Sequence, residues 1–444
     1  MLATQSDVGM RQQLLERISD ARHRSDALFN IVRRDSMYDR PIPERHRIIF
    51  YVGHLEAFDW NLLHENVLEL KSFHPEFDRL FAFGIDPVGG GLPSDQPSDW
   101  PSLETVRDYV TRIRTALDEK LADGRLESSG LTRDGFPLDT LLNVAIEHRL
   151  MHVETLAYML HQLPLDRKVP QEDRSNLVTR PVDHQMISIP AGTATLGLPR
   201  GGEIFGWDNE YETHTAHVLA FEIDKYEVTN RQYLEFMAAG GYETRAFWAD
   251  DDWSWKTAHS VSHPVFWSKS GDEWQYRTMF EELPLPLDWP VYVSHAEAAA
   301  YARWAGKSVP TEEQWHRAAY GIGDGTERNY PWGNQTPTSS HGNFDFHHWS
   351  PTPVNAFPSG SSAFGVDDLL GNGWEWTSTV FAPFPGFEPF PFYRGYSADF
   401  FDGKHFVMKG GSPRTAACML RPTFRNWFQA HYQYVYAGFR CVSH

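Results

Sequence analysis

His148 and His152 stand four residues apart in Glu147-His148-Arg149-Leu150-Met151-His152-Val153-Glu154, inside a stretch whose apolar spacing predicts a helix. That spacing puts both imidazoles on one helix face, where a single metal ion can take both. A third imidazole, His54, lies in a second predicted helical segment, Gly53-His54-Leu55-Glu56-Ala57-Phe58-Asp59-Trp60. Three neutral imidazoles leave coordination positions open, so a metal held by them would take substrate or dioxygen rather than only brace the fold. The same residues could instead be polar groups satisfied inside a helix bundle. An all-nitrogen set suits both zinc hydrolysis and iron–oxygen chemistry, and the spacing alone does not choose. Imidazoles must be neutral to ligate, so activity is expected to fall below about pH 6.5, the ordinary histidine value. Glu154 is expected either to orient an imidazole or to pack; Glu147 is expected at the surface. Asp59 and Trp60 could support His54 or simply pack.

The elements that must carry these residues are legible as helices. Glu16 to Val32 has helical apolar spacing without Gly or Pro. Pro41-Ile42-Pro43-Glu44 is expected to open a second helix running through Leu63. Ser102 to Leu121 reads as a third, with Ser102 and Glu104 at its start. Pro137 to Leu163 reads as a fourth, ended by Pro164. A Gly/Pro-rich loop, Asp86 to Pro93, separates the second from the third. Four helices with one long connection predict a bundle, a fold that builds metal sites in its core from facing helices. Residues 1–165 are therefore expected to form one domain and the polar stretch 166–185 a linker. From 186 to 444 the pattern changes to short β-like runs (Met186–Ile189, His217–Ile223) among Gly/Pro/Trp-rich loops. Two helices interrupt it, His295–Trp304 and one beginning at Thr311-Glu312-Glu313-Gln314-Trp315.

Composition narrows the partners. The chain of 444 residues has a formal net charge of −19, which argues against nucleic acid or an anionic membrane surface as a partner. No apolar run approaches the ~18 residues of a membrane helix, and no signal peptide is read at the N-terminus. The cytoplasm is the expected compartment, and the oligomeric state is left open. Cys418 and Cys441 are the only cysteines, which excludes a disulfide framework or a thiolate cluster. Both are expected as buried packing residues. Gly89-Gly90-Gly91 lacks a following Lys and helix and is no phosphate loop.

The second half carries an ordered set of motifs: Ile189-Pro190-Ala191-Gly192, Tyr226-Glu227-Val228-Thr229-Asn230 and Gly306-Lys307-Ser308-Val309-Pro310-Thr311-Glu312-Glu313-Gln314-Trp315. Tyr330-Pro331-Trp332-Gly333-Asn334, Gly371-Asn372-Gly373-Trp374-Glu375-Trp376, Gly410-Gly411-Ser412 and Gly438-Phe439-Arg440-Cys441 complete it. This half resembles the formylglycine-generating, sulfatase-modifying fold. The first half, with an early His and a late His-x-x-x-His-x-Glu, resembles the DinB-like four-helix domain. Their fusion is similar to the ergothioneine-biosynthetic sulfoxide synthases and the related selenoneine synthases. The implied fold class is α+β: a DinB-like four-helix bundle, then a C-type-lectin-like mixed α/β domain with little regular structure.

The resemblance implies a non-heme Fe(II) enzyme that uses O2 to join a sulfur or selenium donor to imidazole C2 of hercynine (N-α-trimethylhistidine). It implies His54, His148 and His152 as iron ligands, with the second domain closing over them to supply the hercynine pocket. Asn426 and Trp427 match the stretch that contacts hercynine. An amide can hydrogen-bond a carboxylate or imidazole, and an indole face attracts a quaternary ammonium. Tyr393 and Tyr396 lie near where the family's catalytic tyrosine falls. Family members using γ-glutamylcysteine carry an Asp directly after the Asn-Trp pair, where this chain has Phe428. They also carry a Gln at the position of Met151, and Tyr- and Arg-rich donor-binding segments where this chain reads Phe81-Ala82-Phe83-Gly84-Ile85-Asp86-Pro87. A selenosugar donor is therefore expected, with cysteine possible and γ-glutamylcysteine disfavoured. Trp374 and Trp376 are expected to define the fold. The two cysteines are too far apart for copper-dependent formylglycine formation. The competing expectations are a zinc-dependent thiol transferase or hydrolase of the bundle type, and a non-catalytic ligand-binding module.

Overall fold

The computed structural model describes residues 5–65, 67–82, 92–122, 135–171, 182–202 and 204–443, with side chains from residue 11 onward. The expected glycine loop at 89–91, the segment 83–87 and positions 172–181 of the expected linker lie outside the described residues. The chain divides into two compact units, Met1–Gln171 and Glu172–His444.

The first unit is helical: α1 (Gln5–Asn30), α2 (Ile48–Leu63), a short α3 (Pro75–Leu80), α4 (Leu103–Leu121) and α5 (Leu138–His161). α2 and α5 are apolar almost all round, the pattern of helices covered on every side. Of the 16 residues of α2, 13 are buried. α4 instead buries a single stripe, Leu103, Val106, Tyr109, Ile113, Leu117 and Leu121, at three- and four-residue spacing. α4 packs on α2, α1 packs on α5, and α2 meets α5 at the centre. Ser102 caps α4 by accepting from Thr105 N–H at 3.2 Å. Residues 166–169, expected as the start of the linker, instead pack on this unit: Lys168 is buried and Val169 N–H donates to the Ile31 carbonyl at 2.7 Å.

Two helix starts differ from expectation: α1 begins at Gln5 rather than Glu16, and the second start differs more tellingly. α2 begins at Ile48, not at the Pro41/Pro43 pair. Pro43 disfavours helical backbone at Ile42, and residues 41–47 turn instead, with Arg45 N–H donating to Ile42 O at 3.0 Å. Arg47 at the helix entrance donates to Asp95 Oδ2 at 2.9 Å and to Tyr38 O at 2.7 Å.

The second unit is mixed: β1 (Met186–Ile189), β2 (Gly192–Leu196), β3 (His214–Val218), β4 (Phe221–Asp224), α6 (Asn230–Ala238), α7 (Asp250–Ala258), β5 (Trp267–Ser270), β6 (Glu273–Arg277), β7 (Glu282–Pro284), α8 (His295–Trp304), α9 (Glu312–Tyr320), β8 (Gly373–Val380), β9 (His405–Gly411), β10 (Asn426–Gln429), β11 (Ala437–Gly438) and β12 (Val442–Ser443). The strands form sheets in the orders β1-β4-β12, β10-β9-β8-β11, β2-β3 and β5-β6-β7. The expected run His217–Ile223 is broken into two strands of different sheets. β3 pairs with β2, while β4 pairs with β1 and β12. α6, α7 and the β5–β7 sheet were not expected.

The core of this unit gathers Ile189, Trp315, Leu369, Leu370 and Leu420 around α9. The Trp374-Glu375-Trp376 motif is built into it. Glu375 accepts from Trp315 Nε1 at 3.0 Å and from Arg440 Nε and Nη2, each at 2.6 Å. Trp376 Nε1 donates to Val293 O at 2.9 Å. Cys441 is buried as expected, but Cys418 is exposed, because it sits in the short 3₁₀ turn Ala417–Met419 rather than in a strand.

Candidate metal centre

α2 and α5 bring His54, His148 and His152 together. One ring nitrogen of each lies within 4.8 Å of the others, the one such group of three or more His, Cys, Asp or Glu residues among the described residues. His54 Nε2 stands 3.3 Å from His152 Nε2, which stands 3.2 Å from His148 Nε2. Each histidine is buried, with 2% exposure. The Phe81 carbonyl lies 2.7 Å from His54 Nδ1. A carbonyl only accepts, so Nδ1 carries the proton and the His54 Nε2 lone pair faces the other two rings. Nitrogen lone pairs aimed at one another in a dry core repel unless a proton or a cation lies among them. The donor set therefore fits a metal ion of the imidazole-preferring kind.

The electrostatics agree. Burial pushes His54 down to about 4, against the pull of the Phe81 carbonyl. Burial, reinforced by the other rings and Arg149, holds His148 and His152 well below the ordinary histidine value. All three are neutral at neutral pH, the state that ligates. Aromatic rings wall the site: Phe58 stacks on His148 at 3.4 Å between centroids, and Phe50 on His54 at 4.9 Å.

Beside the histidines lies a charge network of which sequence reasoning raised only Asp59. Arg149, with 1% exposure, donates from Nη1 to Glu56 Oε1 at 2.9 Å. Its Nη2 donates to Glu56 Oε2 at 2.8 Å, Asp59 Oδ2 at 2.6 Å and Leu55 O at 3.0 Å. Arg114 of α4 adds bonds to Glu56 Oε1 at 2.8 and 2.6 Å. Burial would raise the Glu56 carboxyl, but Arg149, Arg114 and Arg22 hold it down at about 2. At Asp59 burial wins over Arg149 and the carboxyl is raised. Asp59 thus ties α2 to α5, while Trp60 Nε1 donates to Asp78. Glu147, expected in solvent, is buried, as is Glu154, because α5 is covered on all sides. The available signal was the pair Glu56 and Asp59 within the largely apolar α2, with Arg149 between the two histidines of α5.

The remaining site residues lie in the second unit. Asn426, Trp427 and Phe428 form β10, paired with β9. Asn426 Oδ1 accepts from Trp427 N–H at 2.9 Å, and its Nδ2 makes no hydrogen bond among the described residues. Trp427 stacks on Phe381 at 4.1 Å and meets Tyr396 edge-on at 5.4 Å. Tyr396 in turn stacks on Trp207 at 4.0 Å, and Tyr393 lies 5.6 Å from Tyr396. Burial and the Asp208 charge push the Tyr393 phenol up to about 12, so it is a protonated donor at neutral pH. Phe428 stacks on Tyr432 at 4.9 Å. Tyr393, Tyr396 and Trp427 therefore share one aromatic cluster, and Phe428 packs with Tyr432, which meets Tyr434.

Comparison with known proteins covers both units. Residues 173–444 match the Sulfatase-modifying factor enzyme 1-like domain, and residues 17–156 match the DinB superfamily. The hercynine oxygenase of Mycolicibacterium smegmatis is 34% identical over 406 residues, 88% of each chain. That of Mycobacterium tuberculosis is 39% identical over 248 residues, covering 55% of this chain and 57% of the relative. The formylglycine-generating enzyme of Mycobacterium tuberculosis is 30% identical over 314 residues, 58% of this chain and 97% of the relative. For the hercynine oxygenases of Mycobacterium tuberculosis and Mycolicibacterium thermoresistibile, the match spans little more than half of the relative's length. Among the described residues no helix is long and apolar enough to cross a membrane.

Proposed function

This chain belongs to the hercynine oxygenase family of enzymes, and we propose that it uses Fe(II) and O2 to form a carbon–selenium or carbon–sulfur bond at imidazole C2 of hercynine. The observation that carries the reading is the convergence of three buried, neutral imidazole nitrogens from α2 and α5. His54, His148 and His152 would hold the iron. When bound, iron would supply the redox chemistry that couples dioxygen reduction to oxidative bond formation.

The chain's own residues have separable tasks. The Phe81 carbonyl keeps the His54 proton on Nδ1 and its Nε2 turned inward. Phe50 and Phe58 exclude water from the histidines. Asn426 Nδ2 is a donor suited to the substrate carboxylate or imidazole. Trp427 and Tyr396 offer ring surface to the trimethylammonium group, an attraction worth ~0.5–2 kcal/mol. Tyr393, whose phenol burial keeps protonated, or Tyr396 would be the proton donor that the reaction requires. Phe428, stacked on Tyr432, provides aromatic surface and no counter-charge for a γ-glutamyl ammonium. That supports a selenosugar as the donor, with cysteine second. Neither cysteine forms a disulfide, which suits a reducing compartment such as the cytoplasm.

The test is anaerobic reconstitution with Fe(II), then hercynine and O2 with a selenosugar, cysteine or γ-glutamylcysteine in parallel, read by mass spectrometry. A hercynine adduct with the selenosugar is expected, a smaller yield with cysteine and none with γ-glutamylcysteine. No adduct from any donor, with iron bound stoichiometrically, overturns the substrate assignment.

A further inference from the structure

We propose that Arg149 is a positioning residue: through Glu56 and Asp59 it fixes the register of α5 against α2, and so decides whether His148 and His152 meet His54. The inference rests on the reading of the three histidines as a metal site. Arg149 directly follows His148, while Glu56 and Asp59 follow His54 by two and five residues. The same two helices therefore carry the ligands and the charge pairs, side by side. The guanidinium spends both Nη atoms on α2, in a two-pronged grip on Glu56 plus bonds to Asp59 and Leu55 O. Nη1 also reaches Ser25 Oγ of α1 at 3.3 Å. A planar fork of fixed geometry accepts one placement of its partners, unlike an apolar side chain or a flexible ammonium.

Apolar helix faces have several packing registers of similar quality, since ridges can settle into neighbouring grooves. A slip of α5 by one turn, about 5.4 Å, would break every bond of the Arg149 fork and strand buried charges. It would also carry His148 and His152 away from His54. Arg114 and Arg22 hold Glu56 from α4 and α1, with Arg22 Nε 4.0 Å from Glu56 Oε2, so the acceptor itself cannot drift. Buried polar contacts that select one register among apolar alternatives are known in helical assemblies.

The test is an anaerobic Co(II) titration of the full chain, followed by visible absorption and chelator competition, beside thermal melts. Two variants are used: Arg149→Lys, and the triple Glu56→Gln, Asp59→Asn, Arg149→Met, which removes the fork together with both of its carboxylates. At a temperature where the melts show each variant to be folded, Co(II) affinity is expected to fall about tenfold or more, with altered absorption bands. Wild-type affinity and bands in a folded variant overturn the proposal, since a merely structural role would lower the melting temperature alone. Should the triple variant not fold, Arg149→Lys, which keeps the charge, decides. His54→Ala is the control: if it binds Co(II) as the wild type does, the metal reading itself fails. If His54→Ala abolishes binding and Arg149→Lys leaves it intact, only the positioning role fails.

Discussion

At the scale of single residues, three neutral rings in a dry core make two claims that can be measured. Replacing any one of His54, His148 or His152 by Ala should abolish stoichiometric Fe(II) binding and cut activity by 100-fold or more; metal analysis after anaerobic loading and desalting checks it. The second claim concerns pH. His54 is held at about 4 in the folded chain, against 6.5 when unfolded, and the other two are shifted in the same direction. Between those limits the unfolded chain binds more protons than the folded one, so stability rises with pH across this window. The contribution is complete above about pH 6.5 and is lost as pH falls toward 4. Metal-free protein should show a melting temperature that drops steeply over that range, and a flat profile there would refute the buried neutral state. The histidines were legible because a pair on one helix face is a local pattern. Arg149 was not: its burial depends on Glu56, 93 positions away, and no local pattern reports such a partner.

At the scale of elements, an exacting contact lies one residue before His54. A Cβ at Gly53 would stand 2.6 Å from the ring of Phe81, which is fully buried and has nowhere to swing. Phe81 is also the residue whose carbonyl holds His54 Nδ1. Gly53→Ala should therefore cost about 1–3 kcal/mol by overpacking and weaken metal binding as well, read by denaturant melts and Co(II) titration. Helices were readable where a stripe or a cap declares them: α4 by its single apolar face, α9 by Thr311 and Gln314. α6 carried the same signal, since Thr229 and Gln232 form a reciprocal cap, Thr229 N–H donating to Gln232 Oε1 at 2.9 Å. The β5–β7 meander was hidden because its strands, Trp267-Ser268-Lys269-Ser270 and Glu273-Trp274-Gln275-Tyr276-Arg277, are largely polar and half-exposed.

At the scale of the whole molecule, the change from helical spacing to short strands among Gly, Pro and Trp was visible in the sequence. The ordered motifs of the second half were visible too, and they prove to be its internal scaffold. Glu375 collects Trp315 and both prongs of Arg440, and Arg440 also donates to Asp224 O and Asp367 O, tying separate loops to the β8 strand. Glu375→Gln leaves a buried guanidinium without its counter-charge, at a cost of about 3–5 kcal/mol. Calorimetry should show the second unit melting earlier, while Fe(II) still binds to the first unit with unchanged stoichiometry. Loss of iron binding in that variant would mean the two cores are not separately built.

The two thiols are unequal, and that makes the chain convenient to instrument. Cys418 is exposed, whereas burial and the neighbouring Asp224 carboxylate hold the Cys441 thiol far above its ordinary ionisation range. Only thiolates react readily with maleimides. A dye or spin label should therefore attach once per molecule, at Cys418, without any cysteine being engineered in or out, giving a reporter on the second unit against which iron loading of the first can be timed.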